Sequence, residues 1–342
     1  MKNLLLRLLL TVVVCLCFLT LKAQDRQADN MLLFQRASGG WHKQFRGKAF
    51  TYDTVFSAAD KAQIAAEVKE GAATIDNEAT TKEIRYLINS YQSVANPRYL
   101  AAAEKGIRYL LKAQYANGGF PQYFPDHGAY RNQITYNDGA MINSLNILRD
   151  VTLGRNGFGA VNHSLIDSCA NAVIKGIDCI LKTQIIANGK LTAWCQQYDQ
   201  HTLQPAKARA YELPSISGSE SVGIVYFLMA QQNPSPQIKA AVKAAVQWLS
   251  DVKITGYKVA TAPAPGTPKG TDRIIVPDAS SVIWARFYEI GTNRPFFCNR
   301  DGVKVYTLAQ VDYERRNGYA WYGIWPQKLV ESDYPAWVSR WK

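Results

Sequence analysis

Two short acidic segments, each directly ahead of an apolar helical pattern, carry oxygens that could bind a hard cation. TIDNEAT contains Asp76, Asn77 and Glu78, and TYNDGAM contains Asn137 and Asp138. Calcium takes about six to eight oxygen ligands, so two such helix starts could converge on one ion. Neither segment matches a calcium-loop signature, and the alternative that these side chains cap the helices stays open.

A second group of candidate residues consists of cations on loops. Arg209 lies with Lys207 in the alanine-spaced segment QPAKARAYELP, which ends at Pro214 and is followed by Ser219-Glu220-Ser221, residues that can cap a helix over Val222 to Met229. Loops that feed a helix often carry binding or catalytic groups, although a lone loop arginine is more often a solvated charge.

The segment SVIWARFYEIGTNRPFFCNRDG carries Arg286, Arg294 and Arg300 among aromatic residues. Its apolar pattern favours a helix around Arg286, and a partly buried arginine generally has an anionic partner. That partner would be Glu289 or Asp301 if the role is structural. If the role is functional, it would be a substrate carboxylate held by both arms of the guanidinium.

The elements that must position these residues are mainly helices. Apolar residues recur at helical spacing in six segments, whereas period-two strand patterns are few. The six segments are 82–91, 99–115, 139–151, 165–185, 221–231 and 238–252.

Two of the predicted helix ends look alike, LLKAQYANGG around Gln114 and ILKTQIIANG around Gln184, and WLSDVKITGYKV at Trp248 to Val259 is a weaker third copy. A repeat of about 70 residues favours helical hairpins arranged around an axis, with a generic helical bundle as the alternative. Long polar connections that are rich in glycine and aromatic residues separate the helices, which is typical of functional loops. They are 117–136, 188–214, 258–277 and 293–306, and we expect TAPAPGTPKGT within the third to be a flexible surface loop.

The N-terminus has Lys2 and Arg7 ahead of an apolar run from Leu8 to Leu21 and a small residue at Ala23. This pattern predicts a signal peptide, residues 1–23, and an exported protein that is not inserted in a membrane after cleavage. The chain carries a net charge of +12, which suggests an anionic partner: a polysaccharide, a nucleic acid or a cell surface. No nucleic-acid module signature is present.

The four cysteines after residue 23 have no metal-ligand spacing, and we expect them to be buried free thiols rather than disulfides. They are Cys169, Cys179, Cys195 and Cys298. His42 and His127 also lack metal-ligand spacing, and we interpret both as structural.

Taken together, these segments resemble polysaccharide lyase family 10, the pectate lyases with a three-fold α/α toroid. The likeness runs in unbroken order along nearly all of the chain after residue 23. The motifs that carry it are GGWHK, TIDNEATTKEIRYL, NGGFPQYFP, ITYNDGAM, WCQQYD, AKARAYELPSISGSES, GTNRPFF and RDG.

The resemblance implies a mainly α toroid, a single catalytic domain over residues 24–342 without a binding module, and a monomer that acts on polygalacturonate. The implied reaction is anti β-elimination, in which Arg209 is the base that removes the C5 proton. The implied cofactor is Ca²⁺, held by Asp138 with Asp76 and Asn77 in the same acidic cluster.

By the same resemblance, Arg286 and Arg300 bind substrate carboxylates, and Lys207 joins them as a substrate-binding cation. An arginine base is chemically awkward, because a free guanidinium has a pKa above about 12. Lys207, the other arginines and calcium would have to disfavour the charged form of Arg209.

Two other functions stay open on the sequence alone. One is an inverting glycoside hydrolase on an α/α scaffold, with its acid and base drawn from Asp76, Glu78, Asp138, Asp199 and Glu212. The other is a non-catalytic protein that binds an acidic polysaccharide, which the basic charge and the aromatic residues would serve equally well.

Overall fold

A computed structural model describes residues 25–69, 71–125 and 128–341 of the chain. The predicted signal peptide and His127 lie outside these ranges. Within them the chain is mainly helical, as the periodicity predicts. No helix in these ranges is both long enough and apolar enough to span a bilayer.

Six helices form three hairpins, and the hairpins are arranged around an axis. The first helices of successive hairpins contact one another, and so do the second helices, which gives an inner and an outer layer. This arrangement is the expected α/α toroid. The hairpins are α3 (Thr81–Val94) with α4 (Pro97–Ala113), α5 (Ala140–Leu153) with α6 (Ile166–Thr183), and α7 (Glu220–Met229) with α8 (Pro236–Asp251). Helix α1 (Arg26–Phe34) packs against α2 (Ala58–Glu67) and the first hairpin.

Local sequence explains where the outer helices begin. Helices α4 and α8 start at Pro97 and Pro236, where the missing N–H costs nothing. The preceding residues, Asn96 and Ser235, accept a backbone N–H from the first turn.

The predicted repeat is confirmed, and it extends to a copy that the sequence did not indicate. Gln35, Gln114 and Gln184 each end a helix, and each side-chain amide donates to the backbone of its own loop and to an alanine carbonyl in a following outer helix. The three acceptors are Ala102, Ala172 and Ala241. These glutamines therefore tie successive hairpins together.

A buried tryptophan marks each of three repeats. Trp41, Trp194 and Trp284 donate their indole N–H to the last turn of an earlier helix, at the carbonyls of Met31, Ile180 and Leu249. The bond to Leu249 lies within the weak third copy at Trp248–Val259, so that copy is confirmed as well.

Short antiparallel strand pairs fix the segments that lead into the inner helices. Three such pairs, each two residues long, lie ahead of α3, α5 and α7. They are β1 (Ala73–Thr74) with β2 (Tyr123–Phe124), β3 (Ile134–Thr135) with β6 (Gln197–Tyr198), and β7 (Ile216–Ser217) with β10 (Phe287–Tyr288). A separate small hairpin joins β4 (Ile186–Ala187) to β5 (Lys190–Leu191).

The prediction of a long loop over 258–277 was wrong. Strands β8 (Ile254–Pro263) and β9 (Thr271–Ala285) form a long antiparallel hairpin, and most of the predicted flexible segment, residues 264–270, forms the turn that joins the two strands. Few residues of β8 are buried, so burial imposes no clean alternation on it. The prediction of a helix around Arg286 was also wrong, because Arg286 lies between β9 and β10. Short apolar runs rich in Val, Ile and aromatic residues suit strands as well as helices.

Four of the remaining elements pack beside this hairpin around a second, smaller core that includes Tyr211, Phe297 and Trp321. They are β11 (Phe297–Cys298), β12 (Lys304–Val305), α9 (Tyr313–Gly318) and β13 (Tyr322–Gly323). Helix α10 (Tyr334–Arg340) packs instead against the main core, where Trp337 Nε1 donates to the carbonyl of Met229 at the end of α7. All four cysteines after residue 23 are buried and free, as predicted.

Candidate active site

The starts of the three inner helices occupy equivalent positions. The backbone N–H groups of Thr74, Thr135 and Ser217 donate to the carbonyls of the buried aromatic residues at the head of each repeat, Trp41, Phe120 and Trp194. Three residues further along each segment stand Asn77, Asp138 and Glu220. The symmetry of the fold therefore brings three polar side chains to one end of the toroid.

We call this group the acidic mouth: Asp76, Asn77, Asp138 and Glu220, with the cations Lys43 and Arg286. Lys43 Nζ pairs with Asp76 Oδ2, and one guanidinium nitrogen of Arg286 pairs with Glu220 Oε1. The same nitrogen of Arg286 lies 3.5 Å from Asp138 Oδ1. The prediction that Arg286 pairs with Glu289 or Asp301 was therefore wrong.

Two residues of the mouth, Asn77 and Asp138, have an uncommon left-handed backbone conformation. Asn77 and Asp138 have φ angles of 49° and 51°. Asn and Asp tolerate this left-handed region better than other non-glycine residues. Burial raises the pKa of the Asp138 carboxyl, and Glu220 and Asp76 raise it further, whereas Arg286 and Arg209 oppose the rise. Crowded carboxylates of this kind favour a bound cation.

The capping alternative was wrong for both acidic segments. Neither Asp76 nor Asp138 accepts a hydrogen bond from a free helical N–H. The predicted caps of α7 were wrong too: Ser217 Oγ accepts from the N–H groups of Ser219 and Glu220, both at 3.1 Å. The carboxylates of Asp76 and Asp138 are therefore not used as helix caps.

The oxygens of the mouth fit calcium. In the orientation that satisfies its hydrogen bonds, the side-chain nitrogen of Asn77 donates to Asp138 Oδ2 at 3.2 Å and its oxygen accepts from Lys43 Nζ at 3.3 Å. To bind a cation together with Asp138, this amide would turn over and bring its oxygen beside Asp138 Oδ2. Asn137 Oδ1 is buried and has no hydrogen-bond partner in the described residues. Carboxylate and amide oxygens are the ligands that calcium prefers. Since the described residues hold no cluster of three His, Cys, Asp or Glu side chains suited to a metal ion, substrate or water would complete the set.

A cavity of about 300 Å³ brings Asp76, Asn77, Asp138 and Arg209 together. The other lining residues are polar or aromatic: Lys43, Gln44, Gln122, Tyr123, Tyr130, Arg131, Asn137 and Glu212. The oxygens that fit a cation and the implied base therefore line one small polar cavity.

Arg209 is held by a buried carboxylate. Its Nε donates to Glu212 Oε2 at 2.7 Å, a second guanidinium nitrogen pairs with Glu212 Oε1, and Tyr319 Oη donates to Oε1 at 3.0 Å. Burial disfavours the charged guanidinium, but the hydrogen bonds and charge of Glu212 outweigh it and raise the pKa of Arg209 above its ordinary value. In the free protein Arg209 is therefore a cation.

Beside the mouth lies a second group that we call the arginine ledge: the buried Tyr211 and Arg315 with the exposed Arg209 and Arg300. The guanidinium carbons of the three arginines lie 5.0, 5.8 and 4.9 Å from the centre of the Tyr211 ring, in that order. Arg300 also donates to both carboxylate oxygens of Glu314, at 3.1 and 3.0 Å. Such contacts over an aromatic face position a guanidinium without neutralising it.

Arg300 and Lys207 do not line the cavity. Arg300 contacts the Tyr211 ring, as the cavity residue Arg209 does. Lys207 Nζ lies near Gly302, 3.8 Å from the position that a Cβ on this glycine would occupy. Both remain candidates for the flanks of a long substrate rather than for its reacting unit.

The sequence predicts no functional role for Lys43, Gln122 or Tyr319, only a capping role for Glu220, and for Glu212 only that of an acid or base in a hydrolase. A spacing signal existed for two of them, because Lys43 and Gln122 each stand two residues after the buried aromatic of a repeat. Arg286 stands two residues after Trp284 in the same way. Comparing WHK, FPQ and WAR would have indicated that these side chains share one end of the toroid.

Comparisons with known proteins agree with this fold. The family model described as pectic acid lyase matches residues 35–330. The structure is similar to a family 10 polysaccharide lyase from Cellvibrio cellulosa, with a TM-score of 0.77 and 37% sequence identity over 89% of each chain. It is equally similar, at 37% identity and a TM-score of 0.77, to an aspartate-to-alanine mutant of the Cellvibrio cellulosa family 10 lyase in complex with trigalacturonic acid, over 89% of this chain and 90% of that one. Among curated proteins no match was found.

Proposed function

The chain belongs to the pectic acid lyase family, polysaccharide lyase family 10, and from that premise we propose that it cleaves de-esterified polygalacturonate by calcium-assisted anti β-elimination. Membership makes the chain a polysaccharide lyase, so it excludes the inverting hydrolase and the non-catalytic binding protein. The observation that carries the proposed mechanism is the single cavity in which the oxygens of Asp138 and its neighbours accompany Arg209.

The reaction requires stabilisation of the negative charge that develops on the C6 carboxylate of the substrate. Removal of the C5 proton places negative charge on this group, the electron pair forms the C4–C5 double bond, and the 4-oxygen leaves. Asp76, Asn77 and Asp138 would hold a calcium ion, which would neutralise that carboxylate. Arg286, fixed by Glu220 and 3.5 Å from Asp138, is placed to donate to the same group.

We propose Arg209 as the base, with Glu212 as the residue that positions it. Glu212 fixes the guanidinium through two of its nitrogens, which leaves the third to face the substrate. The same pairing favours the protonated form, so only a small deprotonated fraction can accept the C5 proton. Activity should therefore rise with pH, since the working form is the deprotonated one.

The remaining expectations follow the same premise. Arg300 and Lys207 would bind carboxylates on flanking galacturonate units, Arg300 after exchanging its exposed partner Glu314. Residues 1–23 would direct export and be removed, and residues 24–342 would act as one catalytic domain and as a monomer.

The test is incubation of the mature protein with polygalacturonate, with and without a calcium chelator, while the absorbance of the unsaturated product is followed. We expect product only with calcium, and less on highly methyl-esterified pectin, because esterification removes the carboxylate that the ion and the arginines bind. Equal activity on esterified pectin in chelator would refute the proposal.

A further inference from the structure

Arg131 is a cavity cation that the proposed mechanism does not use. The other two cations that line the cavity are neutralised, Lys43 by Asp76 and Arg209 by Glu212. Arg131 forms no salt bridge within residues 25–69, 71–125 and 128–341, and its side chain is half-buried. A cation kept unpaired beside a cluster of charges is available to an anionic ligand.

The surroundings of Arg131 hold it in place. Its guanidinium carbon lies 5.8 Å from the centre of the Tyr123 ring and 5.3 Å from that of Tyr130. Its carbonyl accepts the N–H of Gln122 at 2.9 Å, which ties it to the cavity wall. An arginine held on two rings loses little side-chain entropy when it binds a carboxylate.

Arg131 contacts different aromatic rings from the cations of the reacting centre. Arg209, which lines the cavity, and Arg286 lie over the ring of Tyr319, with guanidinium carbons 6.0 and 4.8 Å from its centre. Arg131 lies over the rings of Tyr123 and Tyr130 instead. The arginines at the cavity therefore fall into two groups, and a polymer with a carboxylate on every unit can engage both.

We propose that Arg131, held on the rings of Tyr123 and Tyr130, binds the carboxylate of a second galacturonate unit, next to the unit at which elimination takes place. This inference rests on the proposed function. The fork of the guanidinium pairs with the carboxylate in bidentate fashion, and no bond is made or broken. Arg131 is thus a substrate-binding residue that favours chains over single sugars.

The experiment measures binding in a protein that cannot turn over. Isothermal titration of trigalacturonic acid and of galacturonic acid is carried out in calcium with Arg209→Ala as the parent, and with Arg131→Ala, Arg131→Lys or Arg108→Ala added. Arg108 is an exposed arginine on α4 and serves as the matched control. We expect Arg131→Ala to weaken trimer binding about tenfold, Arg131→Lys to recover part of it, and Arg108→Ala to change nothing.

Comparing trigalacturonic acid with galacturonic acid distinguishes failure of this inference from failure of the proposed function. We expect the effect of Arg131→Ala to vanish for galacturonic acid, because one unit cannot reach both groups of arginines. A parent that binds the trimer equally well with and without Arg131 would overturn the inference alone. A parent that binds no trimer would overturn the proposed function, and the inference with it. Circular dichroism of each variant checks the fold, and Arg131→Gln provides a second neutral variant if alanine unfolds the segment.

Discussion

The acidic mouth and the arginine ledge lie side by side, but they hold their charges in different ways. In the mouth, the side chains of Arg286 and Glu220 are 10% and 2% exposed. On the ledge, those of Arg300 and Glu314 are 63% and 58% exposed. A buried pair cannot lose one partner cheaply, whereas an exposed pair is screened by water and contributes little.

The difference in burial indicates that the side-chain positions are fixed in the mouth, whereas on the ledge the exposed side chains can move. The mouth stands on the starts of three inner helices, so its side chains are positioned by the same bonds that close the toroid. On the ledge, Arg209 and Arg300 stand on loops and Arg315 on the short helix α9. The Tyr211 ring contacts all three, and the exposed carboxylate of Glu314 pairs with Arg300 and Arg315. Arg209 joins the two regions, since its guanidinium contacts Tyr211 of the ledge while its partner Glu212 is buried.

The largest expected effect comes from Arg209, where the two regions meet. Arg209→Ala should lower kcat by about 10² to 10⁴ while substrate binding, supported by Arg286 and Arg300, largely survives. Arg209→Lys should rescue poorly, because an ammonium cannot reproduce the planar guanidinium. The measurement is turnover at saturating substrate and calcium, and near wild-type turnover in Arg209→Ala would mean that the base is another residue.

Glu212→Gln tests the same assignment through pH. Removing the negative charge that raises the pKa of Arg209 should lower that pKa, so the rise of kcat with pH should move to lower pH. An unmoved pH profile in a folded Glu212→Gln protein would show that the titrating group is not Arg209.

Arg286→Ala should produce the largest loss of stability, because it leaves Glu220 buried without its cation. We expect the free energy of unfolding to fall by about 3 kcal/mol, measured by urea denaturation. Adding Glu220→Gln should restore part of it, since the uncompensated charge is then removed. A fall below about 0.5 kcal/mol would contradict the view of the mouth as a buried charge network.

Asp138→Ala should remove activity at ordinary calcium and leave partial recovery at high calcium. It should lower the free energy of unfolding by about 1 kcal/mol, because the structure shows no capping bond to lose but alanine tolerates the φ of 51° less well than aspartate. Because burial raises the pKa of Asp138, protons should compete with calcium as the pH falls, and affinity should weaken toward acid. Calcium titration of the free protein and of the protein with trigalacturonic acid, compared with Asp138→Ala, provides the direct measurement. Normal activity of Asp138→Ala in limiting calcium would exclude a role in holding the ion.

Arg300→Ala should have the smallest effect of the series. We expect stability to change by no more than about 0.5 kcal/mol and KM to rise a few-fold with kcat unchanged, because an exposed cation contributes binding rather than chemistry. The rise in KM should shrink at high salt, which screens exposed charges. A loss of stability as large as that of Arg286→Ala would erase the distinction between ledge and mouth.

Local patterns in the sequence determined much of the architecture. The spacing of apolar residues located all six hairpin helices, because helical periodicity connects residues three and four apart and needs no distant partner. The copies around Gln114 and Gln184 indicated hairpins around an axis for the same reason. The acidic segments at Asp76 and Asp138 and the family resemblance then pointed to the residues that the structure brings into one cavity.

Only the tertiary structure decided which charges meet. The pairings of Arg286 with Glu220 and of Lys43 with Asp76 join residues far apart in sequence, and no local pattern specifies them. The long β8–β9 hairpin escaped prediction because little of β8 is buried, so its sequence carries no clean alternation. Closing the toroid brings three helix starts to one end, and this closure, rather than any single motif, creates the buried charge network of the mouth.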